Sequence, residues 1–236
     1  MMKRLCSVCV RGGSKGVPNK NIRPLLGKPL LIYSLDQARQ SDLFDCIVVS
    51  SDSKEILQLA EEWGVDHAIE RPEELATDFA AKIPVFQHCF QTAETLSGMT
   101  FDIAVDLDAT SPLRNQDDLK GVVDLLESHD STTNVITGTT ARRSPYFNLV
   151  ELDEIGRVYL SGKRQNDVKA IVRRQDAPQC YDMNASIYAW WRESLLNTTD
   201  HVIQFGTRLY LMPEERSVDI DSELDFRWVE FLMNNE

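Results

Sequence analysis

Residues 10–21, VRGGSKGVPNKN, decide how this chain is read. They follow the first apolar run, residues 5–10, and join a glycine-rich turn to a local excess of positive charge. Gly12, Gly13 and Gly16 let the backbone turn tightly and bring its N–H groups close to an anion. Arg11, Lys15 and Lys20 add cations, and no acidic residue occurs before Asp36. The stretch reads as a phosphate-binding loop, with an ordinary strand-to-helix turn carrying solvated lysines as the plainer alternative. It lacks the Gly-Lys-Ser/Thr ending of a Walker A motif and is not the dinucleotide fingerprint.

The global charge has the opposite sign. The 236 residues carry 37 Asp and Glu against 25 Lys and Arg, a net charge of −12, which argues against a nucleic-acid or anionic-membrane partner. With 42% hydrophobic residues the chain can bury a full core as one α/β domain. No apolar run approaches the roughly 20 residues of a membrane span. The opening MMKRLCSVCV is too short and too soon interrupted for a signal peptide, so the expected location is the cytoplasm. Five cysteines (Cys6, Cys9, Cys46, Cys89, Cys180) lack a disulfide-framework spacing and read as reduced thiols. Cys6 and Cys9 form a C-x-x-C, but inside a strand residues three apart face opposite ways, so they read as core filling. His67, His88, His129 and His201 are scattered, without a metal-ligand spacing.

The apolar pattern alternates between strands and helices. Strands are expected at residues 5–10, 45–50, 66–71, 101–107 and 134–137, and again at MNASIYAWW and LYLM. Helices are expected over 29–40, after a cap at Asp52 or Ser53, over the stretch bearing Ile83, Phe86, Phe90 and Ala93, and where Leu119, Val122, Val123 and Leu126 recur. This is the pattern of a mostly parallel sheet covered on both faces, an α/β fold of three layers. Residues 101–107 run out into DATSPLRN, which puts Asp108, Thr110, Ser111 and Arg114 at the carboxyl edge, where open α/β sheets bind ligands. A capped loop entering a helix, Pro112 and Asp117 included, explains the same residues without a ligand.

Residues 140–182 break the alternation with short runs, turn residues and many basic side chains. They read as an inserted lobe of hairpins within a single 1–236 domain, with Tyr146, Phe147, Leu149 and Val150 as an apolar face for a second copy of the chain. A plain surface hairpin is the alternative. Near the C-terminus SVDIDSELD places Asp219 and Asp221 two apart, on one side of an extended stretch, before a helix with Leu224, Trp228, Phe231 and Leu232 on one side. Two such carboxylates suit a hard divalent ion that also touches phosphate. Alternatively Asp221 or Ser222 caps the helix.

Three blocks together, VRGGSKGVPNKN, LDATSPLRN and SVDIDSELD, resemble the cytidylyltransferases that activate nine-carbon 2-keto-3-deoxy sugar acids, with supporting matches at VSSD, RPEELATD and YDMNASIYAW. The resemblance spans the chain. It implies a fold of the nucleotide-diphosphosugar transferase type, a homodimer formed through the inserted lobe, and dependence on Mg²⁺, with Mn²⁺ as the alternative ion. It makes CTP and a nonulosonic acid the substrates, with the anomeric hydroxyl attacking the α-phosphorus to give a CMP-sugar and pyrophosphate.

Carried over position by position, the resemblance assigns Arg11, Gly12, Ser14, Lys15, Lys20 and Asn21 to the triphosphate, and Arg71 and Ala80 to the cytosine and ribose. Asp219 and Asp221 match the metal pair. Arg11 and Lys20 would join them in catalysis, a task of positioning and charge stabilisation. Asp108, Thr110, Ser111 and an Arg174 offered by the partner's lobe would meet the sugar acid. Sialic acid synthetases usually have Gln-Pro-Thr-Ser-Pro-Leu-Arg where this chain has Asp108-Ala109-Thr110-Ser111-Pro112-Leu113-Arg114. That carboxylate resembles the bacterial branch that activates legionaminic acid. Transfer to the eight-carbon acid Kdo or amino-Kdo, and a non-catalytic nucleotide-binding role, are the competing functions.

Overall fold

A computed structural model describes residues 2–13, 16–77, 79–162, 173–199 and 201–235. In chain order the first half contains β1 (Arg4–Cys9), β2 (Pro24–Leu25), β3 (Lys28–Pro29), α1 (Leu30–Ser41), β4 (Cys46–Ser51), α2 (Lys54–Trp63), β5 (His67–Glu70) and α3 (Lys82–Ser97). The second half contains β6 (Ile103–Leu107), α4 (Gln116–Glu127), β7 (Asn134–Thr140), β8 (Val150–Leu152), β9 (Val158–Leu160), β10 (Tyr181–Trp191), α5 (Arg192–Asn197), β11 (Thr207–Leu211) and α6 (Glu223–Met233).

Seven strands form one sheet in the order β11-β7-β10-β6-β1-β4-β5. All neighbours are parallel except β10, which runs antiparallel to both β6 and β7. The strands are short and apolar because both faces are covered. On one side α1, α2 and α4 pack Leu35, Ile56, Ala60, Leu119 and Val122 against Cys6, Val8 and Val105; on the other α3 packs Ile83, Phe86 and Phe90 against Leu5, Val48 and Tyr188. Cys6 points into the first layer and Cys9 toward the second, and all five cysteines are free thiols. Cys6 fills the core as expected, whereas Cys9 is only partly buried and also lines a cleft.

A third, smaller cluster positions the site. Val17 of the basic loop, Leu113 of the strand-end block and Ile220 of the acidic block pack together with Leu25, Leu30, Phe226 and Val229. Val17 and Ile220 are fully buried. Burying an aliphatic side chain of this size contributes about 1.5–3 kcal/mol, so three segments far apart in sequence are held together by apolar contact before any charge is considered.

Two details of the helices are open in the sequence. Of the Leu224, Trp228, Phe231 and Leu232 side of α6, the first three are exposed, with Trp228 stacked on Phe231 at 5.5 Å, while Leu232 packs with the buried Phe226 and Val229 in the third cluster. Helical periodicity marks a face without saying what covers it. In α4 the cap is Asn115, in a reciprocal box with Asp118, instead of Pro112 or Asp117. Within 140–182, β8 and β9 form an antiparallel hairpin with Tyr146, Leu149, Val150, Leu152, Ile155 and Val158 exposed and Phe147 partly buried.

Candidate active site

The carboxyl ends of β1, β5 and β6 open into a cleft of about 420 Å³, lined among others by Arg11, Gly13, Lys20, Asn21, Arg71, Ala80, Asp108, Thr110, Asp219 and Asp221. The sequence-predicted residues therefore largely converge.

The basic loop is tied down from below. Val10 N–H donates to the Ser50 carbonyl at 3.0 Å, and the buried Asn21 amide donates to the Arg11 carbonyl at 2.9 Å. Asn19 takes the left-handed conformation, φ 51°, which asparagine tolerates, and turns the chain into the short 3-10 segment Lys20–Ile22. Gly12 donates its N–H to Asp52 Oδ1 at 2.9 Å. Gly12, which is not among the residues lining the cleft, lies so close to Ser53 that a Cβ would meet the Ser53 Cβ at 2.8 Å, so its lack of a side chain serves the packing of the loop on the start of α2. Ser14 and Lys15, both expected at the triphosphate, lie outside the described residues.

Lys20 joins the two ends of the chain. Its ammonium donates to the Ile220 carbonyl at 2.5 Å and pairs with Asp221 Oδ1 at 3.2 Å. Ser222 caps α6 in a reciprocal box with Asp225, which releases Asp221 from the capping role and leaves its side chain exposed at the cleft. Asp219 is reached from the strand-end block: Thr110 stands between two carboxylates, its hydroxyl within hydrogen-bonding reach of Asp219 Oδ1 and 2.8 Å from Asp108 Oδ1. A hydroxyl donates one proton, so it serves one carboxylate at a time. Burial, then the nearby Asp108 and Asp221 charges, push Asp219 up to about 6, and Thr110 and Lys20 only partly offset them. This corner concentrates negative charge that a cation would relieve.

Arg71 is buried and donates from Nη2 to the Ser50 carbonyl at 2.9 Å, so it is held fixed in the wall of the cleft. Arg114 is an internal strut: it is buried, donates to the Asp108 and Ser186 carbonyls at 2.7 and 2.9 Å, and also bonds the Ser34 hydroxyl. Ile220 N–H donates to the Thr110 carbonyl at 3.0 Å, knitting the acidic block to the strand end.

One expected sugar-acid residue is placed elsewhere. Ser111 is buried, 1% exposed, and is not among the residues lining the cleft, because the chain turns inward there to seat Leu113. Arg174, expected to serve a partner's site, is exposed, donates to the Arg142 carbonyl at 3.0 Å and does not line the cleft of its own chain.

Sequence reasoning passed over Asp106, Lys82 and Ala185, which also line the cleft. Asp106 accepts from Ser7 Oγ at 2.6 Å, and burial drives it up to about 6 against the pull of Ser7, Cys9 and Lys82. A carboxylate inside the apolar run FDIAVDL was a usable signal, since such a group is buried only with partners. Ala185 has a φ of 54°, a left-handed conformation that a non-glycine residue adopts at a cost.

The cytidylyltransferase family profile matches residues 6–227. The chain is 43% identical to the post-translational flagellin modification protein B of Campylobacter coli over 236 residues, covering all of this chain and 97% of that protein. It is also 43% identical to the CMP-N,N'-diacetyllegionaminic acid synthase of Campylobacter jejuni over 234 residues, covering 99% of this chain and 96% of the relative. In fold it is similar to a CMP:2-keto-3-deoxy-manno-octonic acid synthetase solved with CTP, with a TM-score of 0.69 at 16% identity and 99% of each chain covered. A basic loop packed against an acidic pair at the carboxyl edge of such a sheet, and a profile match over nearly the whole length, lead to one conclusion: the chain belongs to the cytidylyltransferase family.

Proposed function

We propose that this enzyme activates a nonulosonic acid of the N,N'-diacetyllegionaminic type with CTP, releasing pyrophosphate and forming the CMP-sugar. The observation that carries the reading is the packing of Val17, Leu113 and Ile220, which brings the basic loop, the strand end and the acidic pair to one cleft. The 43% identity to the legionaminic acid synthase supports the sugar class, as does the carboxylate at position 108.

In this reading Arg11 and Lys20 hold the triphosphate and stabilise charge growing on the departing pyrophosphate. Arg71 and the segment up to Ala80 face the cytosine and ribose, and Asp108 and Thr110 face the acceptor. Asp219 and Asp221 would hold the metal. Among the described residues no cluster of three or more His, Cys, Asp or Glu is arranged to bind an ion, so the protein offers a pair of carboxylates and leaves the other positions to phosphate and water. That donor set fits Mg²⁺, with Mn²⁺ as the alternative. When bound, the ion supplies charge neutralisation at the phosphates and lowers the pKa of an oxygen it contacts. The lobe at 140–182, with its exposed apolar hairpin, pairs two copies of the chain and offers Arg174 to the partner's acceptor site.

The deciding experiment is a panel of sugar acids with CTP and Mg²⁺, followed by pyrophosphate release and mass spectrometry of the product. CMP-N,N'-diacetyllegionaminate should dominate. Turnover of only the eight-carbon acid Kdo, or of no acid at all despite CTP binding, would sink the proposal. Sedimentation of the free protein tests the dimer.

A further inference from the structure

The acceptor end of the cleft contains a cation that local structure does not explain. Lys82 is the first residue of α3, whose cap, Ala81, makes no side-chain cap bond and whose first turn has no acidic residue. A positive charge at the positive end of a helix is unfavourable, by about 0.3–1 kcal/mol at an exposed site. Lys82 nevertheless turns into the cleft, with Nζ 3.4 Å from Asp108 Oδ2 and 4.8 Å from the centre of the Tyr188 ring.

The two groups complement each other. Asp108 uses Oδ1 to accept from the Thr110 backbone N–H at 3.1 Å and from its hydroxyl, and turns Oδ2 toward Lys82. Burial disfavours the Asp108 carboxylate, but Lys82, Thr110 and Arg114 outweigh it and hold its pKa below the ordinary range. Burial likewise disfavours the Lys82 ammonium, and Asp108, Tyr188 and Asp106 outweigh it and raise its pKa. Both groups are therefore charged at neutral pH. An ammonium has three donors, and the bond to Asp108 occupies one of them. A carboxylate facing an anionic substrate alone would repel it; one neutralised by a neighbouring ammonium can accept from N–H and O–H groups while the ammonium donates to the substrate's own carboxylate.

Resting on the acceptor assignment above, we propose that Lys82 and Asp108 form one recognition unit for the sugar acid, Lys82 donating to its carboxylate and Asp108 accepting from its amide N–H or hydroxyl groups. This pairing makes room for a carboxylate at position 108 in a site whose substrate is itself an anion.

The test uses the full-length wild type with Lys82→Met, Lys82→Arg, Asp108→Asn and the double variant Lys82→Met/Asp108→Asn. KM is measured separately for the acid and for CTP, with thermal melting as the folding control. Lys82→Met and Asp108→Asn should each raise KM for the acid by about tenfold, with KM for CTP changing less than about threefold. The double variant should be no worse than about threefold beyond the poorer single one, because each half acts through the other. Lys82→Arg should recover most of the affinity. An acid KM that rises less than about fivefold in Lys82→Met, an equal rise for CTP, or fully multiplicative singles would each overturn the unit while leaving the parent activity standing. A wild type that turns over no sugar acid would instead overturn the function itself, and the recognition unit with it.

Discussion

Gly16 rests directly on the backbone of Asp221: a Cβ built at Gly16 would lie 2.0 Å from the Asp221 carbonyl oxygen. Backbone cannot yield as a flexible side chain does, so Gly16→Ala must separate the basic loop from the acidic segment. We expect kcat/KM to fall by about 100-fold or more, a size seen when reacting groups are displaced by an ångström. Pyrophosphate-release kinetics check this, with a melting curve to show that the fold survives.

Lys20 bridges the same two segments by side chain. Removing it with Lys20→Ala leaves the Ile220 carbonyl without its donor and Asp221 without its cation. Stability should fall by about 1–3 kcal/mol from the lost hydrogen bond to a charged group. CTP affinity should fall as well, and calorimetric titration of CTP reads that second effect separately.

Asp106 makes stability depend on pH. Its folded pKa, about 6, lies above the carboxylate's ordinary 3.8, so the folded state binds the proton more tightly than the unfolded chain does. Stability from this group is fully present below about pH 4 and is lost as pH rises through about 6. Asp106→Asn removes the ionisation and keeps an oxygen for Ser7. The variant should gain on the wild type by on the order of 1–3 kcal/mol at pH 8 and show no such gain at pH 4. Denaturant melts at the two pH values decide it; a constant difference would contradict the assignment.

Ala185 occupies a left-handed position on the wall of the cleft. Ala185→Gly should leave stability unchanged or raise it by up to about 1 kcal/mol, since glycine accepts that φ without cost. A β-branched residue is the worst fit there, and Ala185→Val should cost more than about 2 kcal/mol, read from chemical denaturation.

The sequence made some of this legible and hid the rest for physical reasons. The three-layer fold follows from short apolar strands alternating with amphipathic helices, and every strand of the main sheet overlaps a stretch expected to be one. The cleft follows because the blocks around Arg11, Asp108 and Asp219 were recognisable together. What stayed hidden depends on direction. Ser111 and Thr110 are adjacent hydroxyl residues, yet one turns into the core and the other into the cleft, and no pattern in DATSPLRN distinguishes them. Lys82 belongs to a helix start and reaches the site only because α3 begins beside the end of β6. The Trp228 stripe shows the same limit: spacing identifies a face, and packing alone decides whether it is covered.

Strand β10 begins with Tyr181 and Met183 exposed and ends in the core with Tyr188 and Trp190 buried. Midway, from Met183 to Tyr188, it takes five steps while β7 takes two, from Gly138 to Ile136. Within that slack, the Ser186 carbonyl receives both the Asp108 N–H, at 3.1 Å, and Arg114 Nη1. The bulge is thus an expansion joint. The chain before it can lengthen or shorten without shifting the register of the core, while one peptide group within it stays pinned and holds Asp108 and Arg114 in place. A change on the far side of the joint is absorbed there before it reaches the cleft.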